Sequence, residues 1–128
     1  MRFFKLIKIN KLNFFINLYP NKYKIITMIT ADLCIIPMGI EESSVGDYVA
    51  EAVKIIEKSG LKYQITAMGT QIEANNLKSL YDVCAEVQEA IFEMGVGRVY
   101  TVLKIDDRRD KEKRTLDEKV RSIKNRME

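Results

Sequence analysis

The chain has 128 residues, 47% hydrophobic and 30% charged, which bounds it to one globular domain with a single core. No apolar run reaches the roughly 18 residues of a membrane span, and the lack of histidine excludes His-activated nucleophiles, HExxH zinc sites and histidine pH switches. The net charge of +3 is unevenly spread: residues 1–27 hold six basic groups and no acid, which leaves 15 basic against 18 acidic groups in the body, a poor match to nucleic acid.

Residues 1–27 are built almost wholly from Lys, Asn, Ile, Leu, Phe and Tyr, and lysines interrupt any signal-peptide core. They are expected to be a disordered leader or to precede a true start at Met28. A basic amphipathic membrane segment is the other reading. Residues 28–128 then form the domain.

Residues 29–37 alternate Ile29, Ala31, Leu33 and Ile35 against Thr30, Asp32, Cys34 and Ile36. This period of two predicts a strand closed by Pro37 and Gly39. Ser44 reads as an N-cap with Asp47 as its capping-box partner. Val45, Val49, Ala52, Val53 and Ile56 follow at helical spacing up to Gly60. Tyr63, Ile65 and Ala67, then Thr70, Ile72 and Ala74, predict two short strands in a hairpin that turns near Gly69. Asn75 or Asn76 caps a second helix, whose stripe of Leu77, Leu80, Cys84, Val87, Ile91 and Met94 ends at Gly95. Residues 98–105 read as a fourth strand. Residues 110–127 form a charged helix with a thin apolar stripe of Leu116, Val120, Ile123 and Met127, on which Asp117 and Arg121 are spaced to pair.

The order β-α-β-β-α-β predicts an α+β, ferredoxin-like sandwich: a four-stranded antiparallel sheet with two helices on one face, plus a C-terminal helix. The second sheet face should be polar in a monomer, yet Cys34, Ile36, Tyr100 and Val102 would lie there. A contiguous apolar sheet face predicts self-association, helped by the last helix; the alternative is that this helix folds back over the face within one chain. Cys34 and Cys84, 50 positions apart and outside any CxxC, read as buried thiols of a reducing compartment, consistent with a cytoplasmic location. The mixed-sign run 106–110 reads as a solvated link rather than a metal loop.

Several features occur in order: Pro37-Met38-Gly39, Ser44, Ser59-Gly60-Leu61-Lys62-Tyr63, Met68-Gly69-Thr70-Gln71-Ile72-Glu73, Gly97-Arg98-Val99 and Ile105-Asp106-Asp107-Arg108. Together they make the body resemble the YkoF-like thiamine-binding protein family of small ferredoxin-like domains. One departure is Ala74, where the family commonly has glycine. The resemblance implies binding of thiamine or its hydroxymethylpyrimidine part without catalysis, and assembly into homodimers or homotetramers through packed sheets. No cofactor beyond that ligand, no metal, no nucleic-acid partner and no membrane are expected.

Such a ligand needs hydrogen-bonding partners for an aminopyrimidine, a counter-charge for a thiazolium, and soft walls. Within the matched motif, Glu73 is the candidate carboxylate and Thr70 the candidate hydroxyl for the pyrimidine edge. Ser44 offers a second hydroxyl, although a helix cap is its plainer role. Met38 and Met68 would form a soft wall if they are not core. Thr66 and Tyr48 are weaker candidates, and Arg98 is expected to pair with an acid rather than with a ligand phosphate.

Three other classes compete: an enzyme of thiamine or pyrimidine metabolism, an RNA-binding domain and a regulatory interaction module. The first lacks a nucleophile beside a base, and the second lacks aromatics on the central strands. The third is compatible with the sequence.

Overall fold

The computed structural model describes residues 28–112 and 114–128. The expected leader at 1–27 lies outside the described residues. The elements are β1 (Ile29–Met38), α1 (Gly46–Lys58), β2 (Lys62–Ile65), β3 (Thr70–Ala74), α2 (Leu77–Glu93), β4 (Arg98–Asp107) and α3 (Leu116–Met127). The strands form one antiparallel sheet in the order β2-β3-β1-β4, the ferredoxin-like arrangement expected from the element order.

Strand parity decides what is buried. Ile29, Ala31, Leu33 and Ile35 of β1 and Ile72 and Ala74 of β3 face the helices. They meet Ala52 and Ile56 of α1 and Leu80, Val83, Cys84, Val87 and Ile91 of α2. On β4, Val99, Leu103 and Ile105 pack on the same core, and Thr101 donates to Gln88 Oε1 of α2 at 2.7 Å.

The helix ends follow local chemistry, with two corrections. Asn76 accepts the Ser79 amide at 2.8 Å as the N-cap of α2, and Gly60 and Gly95 take positive φ after the two helices. Ser44, however, does not cap α1: the N-cap position is Val45, with no side-chain hydrogen bond. The last helix begins at Leu116, not at 110, because Thr115 and Glu118 form a complete capping box that starts it there. Asp117 is held by Lys62 of β2 at 3.0 Å. Ala74 pairs with Ile29 inside β3, where extended backbone suits alanine.

The opposite sheet face divides in two. At one end α3 leans on the sheet through its first turn: Leu116 N–H donates to Glu73, and Lys119 pairs with Asp106. Arg109 pairs with Asp107 at 2.8 Å and Arg108 with Asp110 at 2.5 Å, so two of the three acids in the run 106–110 are paired within it and the third, Asp106, with Lys119. At the other end Ile36, Met38, Tyr100 and Val102 lie exposed side by side, with Cys34 beside them. Val120, Ile123 and Met127 of α3 are exposed as well.

Candidate functional site

β1 is longer than its neighbour on one side. β3 pairs with it only as far as Leu33↔Thr70, and the chain from β2 to β3 turns through residues 66–69. Thr66 closes that turn, donating to the Gly69 carbonyl from its N–H at 3.0 Å and from Oγ1 at 2.7 Å. A cleft of about 260 Å³ opens between this turn, residues 33–36 of β1, the N-cap residue Val45, and Val49, Ala52 and Ile56 of α1. Its size is at the small end of ligand pockets, which run from roughly 300 Å³ upward.

Thr66, Met68, Gly69 and Thr70 all line this cleft. Thr70 is buried in its floor at 5% exposure, whereas Met68 stands at the turn with 84% of its surface in solvent. Because the Thr66 hydroxyl donates its proton to Gly69, only its lone pairs remain for a ligand. Among the described residues, none that lines the cleft is charged.

The other candidates lie elsewhere. Glu73 and Thr70 are three positions apart on one strand, so they project from opposite faces. Glu73 lies under α3, 4% exposed, accepting from Leu116 N–H at 2.8 Å with Lys62 Nζ at 3.6 Å. Met38 ends β1 on the open face opposite Arg98. Ser44 is exposed in the loop before α1, and Tyr48 packs half-buried on the core.

Two further cleft residues belong to the helical stripe of the first helix. Val45 and Val49 sit at the start of α1, each 37% exposed, and form a wall of the cleft. Their periodicity matches that of core residues, so only the gap beside β1 distinguishes them.

Asp32 occupies the far side of the turn. Its Oδ1 is buried without a hydrogen-bond partner among the described residues, and a Cβ on Gly69 would stand 2.7 Å from it. Oδ2 lies 3.9 Å from Lys104 Nζ. A larger hollow of about 400 Å³ between α1 and α2, rimmed by Lys58, Asp82 and Glu86, contains none of the candidate residues.

Residues 31–124 match the thiamine-binding protein family. The chain belongs to that family. A UPF0045 protein of Methanothermobacter thermautotrophicus is 45% identical over 100 residues, spanning 78% of this chain and all of the relative. The UPF0045 protein YqgV of Bacillus subtilis is 46% identical over 100 residues, covering 75% of this chain and 94% of its own. Among solved structures, a hypothetical protein of Methanocaldococcus jannaschii superposes with a TM-score of 0.69 at 35% identity, over 76% of this chain and 96% of that one. A proposed thiamine biosynthesis/salvage protein of Thermotoga maritima, 22% identical with a TM-score of 0.64 over 75% of this chain and 98% of its own, shares the fold.

Proposed function

We propose that the protein binds thiamine, or the pyrimidine part of it, in the cleft beside the β2–β3 turn, and that it does so without catalysis as a buffer, carrier or sensor of the ligand. The observation that carries this reading is the convergence of Thr66, Met68 and Thr70 on one apolar cleft in a member of the thiamine-binding family. An uncharged cleft suits the neutral aminopyrimidine, because burying the thiazolium there would leave a cation without a counter-charge. The cationic ring therefore stays at the mouth, in water, against the polarizable sulfur of exposed Met68.

The open sheet face supports a second part of the reading, self-association, and the two free cysteines suit a reducing, cytoplasmic setting. Ile36 and Tyr100 are register partners on that face, flanked by Met38 and Val102, and the apolar stripe of α3 runs outside the core. Covering such a patch with a second copy removes apolar surface from water.

Isothermal titration of the protein with thiamine and with the hydroxymethylpyrimidine fragment tests the reading. Saturable binding that weakens in Thr70→Val is expected. Absence of heat and of thermal stabilisation with both compounds would defeat it. Turnover of either compound would replace the binding reading with an enzymatic one.

A further inference from the structure

The inner wall of the cleft is main chain. β1 pairs with β4 over its whole length, from Ile29↔Asp107 to Met38↔Arg98, but with β3 only from Ile29↔Ala74 to Leu33↔Thr70. Residues 34–38 therefore have no strand neighbour on the β3 side among the described residues. The Leu33 carbonyl oxygen lies 3.1 Å from the point that a Cβ on Gly69 would occupy, so the Leu33 peptide groups face the β2–β3 turn. Peptide groups alternate sides along a strand. Those of Cys34 and Ile36 thus face β4, and those of Ile35 face the gap. Pro37 shares the side of Ile35, and its missing N–H costs no ladder bond there.

In extended chain the N–H and C=O of one residue point the same way, side by side. Ile35, whose side chain is buried in the core, thereby presents one donor and one acceptor in the wall of the cleft that it lines. The side chains around it are apolar apart from Thr66 and Thr70, and the Thr66 proton is already committed to Gly69. Apolar surroundings strengthen such main-chain hydrogen bonds.

We propose that this main-chain pair of Ile35 reads the edge of an aminopyrimidine: the exocyclic amine donates to the Ile35 carbonyl, and the adjacent ring nitrogen accepts from the Ile35 N–H. The inference rests on the thiamine reading and specifies its recognition contact. A single N–H followed by proline is a poor template for an added peptide strand, which draws on successive donors along an edge. It is a full complement for a flat ring that carries an amine next to a ring nitrogen.

The test is amide-resolved NMR of the full chain, titrated with thiamine, with 4-amino-5-hydroxymethyl-2-methylpyrimidine and with its 4-oxo analogue. The Ile35 amide should shift and its hydrogen exchange slow by about tenfold or more at saturation with either amino compound. The oxo analogue, which sets an acceptor against the Ile35 carbonyl, should bind at least roughly tenfold more weakly. Binding of the amino compounds with the Ile35 amide unmoved would overturn this inference and leave the binding function standing. Equal affinity for the oxo analogue would do the same. No binding of either amino compound would overturn the inference together with the function.

Discussion

The Glu73 carboxylate accepts the main-chain N–H of Leu116 at 2.8 Å, placing a buried anion at the N-terminus of α3. Orphan N–H groups and the helix dipole both favour a negative group there. Lys62 adds a second link, 3.6 Å from Glu73 and 3.0 Å from Asp117. Glu73→Ala should therefore destabilise the protein by about 1–3 kcal/mol in chemical denaturation and speed hydrogen exchange in the first turn of α3. Ligand affinity in the cleft should change by less than about threefold, because the two regions lie on opposite sheet faces. A large affinity loss with α3 still protected would show that Glu73 acts on the ligand directly.

Gly69 is required for a steric reason. A Cβ there would meet Asp32 Oδ1 at 2.7 Å and the Leu33 carbonyl oxygen at 3.1 Å. Gly69→Ala should cost about 1–3 kcal/mol. Adding Asp32→Ala should restore part of that loss but not all, since the carbonyl belongs to the backbone. Denaturation midpoints of the two single variants and the double variant measure the coupling.

Thr66 ties the turn that borders the cleft. Thr66→Val removes the 2.7 Å bond to Gly69 and should cost about 0.5–1.5 kcal/mol. Faster amide exchange should be confined to residues 66–69 and their neighbours. Uniform loosening of the whole sheet would contradict a local role.

Cys84 is buried between α2 and the sheet, and desolvation pushes its thiol pKa up to about 11 from the ordinary 9.0. The unfolded chain loses this proton first as pH rises, so the unfolded state is favoured between about pH 9 and about 11. Below pH 9 both states keep the proton and the group contributes no pH dependence. Stability measured by urea titration should fall across that window, and Cys84→Ala should flatten the fall relative to its own value at pH 8. An unchanged slope would remove Cys84 as its source.

Tyr100 and Ile36 face each other across β4 and β1 on the open sheet face, and Tyr100 is 53% exposed. Sedimentation at micromolar concentration should show an assembly in the parent chain. Tyr100→Lys should reduce it to monomer, because a charge at the centre of an apolar contact is costly to bury. A monomeric parent would overturn self-association.

The alternation in β1, the stripe on α2 and the glycines at 60 and 95 were legible as local patterns, because period, burial and positive φ are set within a few residues of chain. The hairpin around Gly69 was legible for the same reason. The start of α3 was less so: its capping box at Thr115 and Glu118 lies within a charged stretch running on from residue 110, and composition does not mark the boundary there. Ser44 does not cap, because a serine before a helical stripe caps only if the backbone enters the helix at the next residue, and here Val45 intervenes.

By itself, the sequence determined the element order and the apolar faces, which follow from periodicities of two and 3.6. Its ordered motifs placed it in its family. The tertiary structure decided which candidates meet. Pairing ends β3 opposite Leu33 while β1 runs on to Met38, and that mismatch opens the cleft, exposes the edge at Ile35 and leaves Val45 and Val49 in its wall. It also brings a helix 43 residues further along the chain over Glu73, whose place on the other face follows from strand parity alone. These outcomes depend on register between distant segments, which no local pattern encodes.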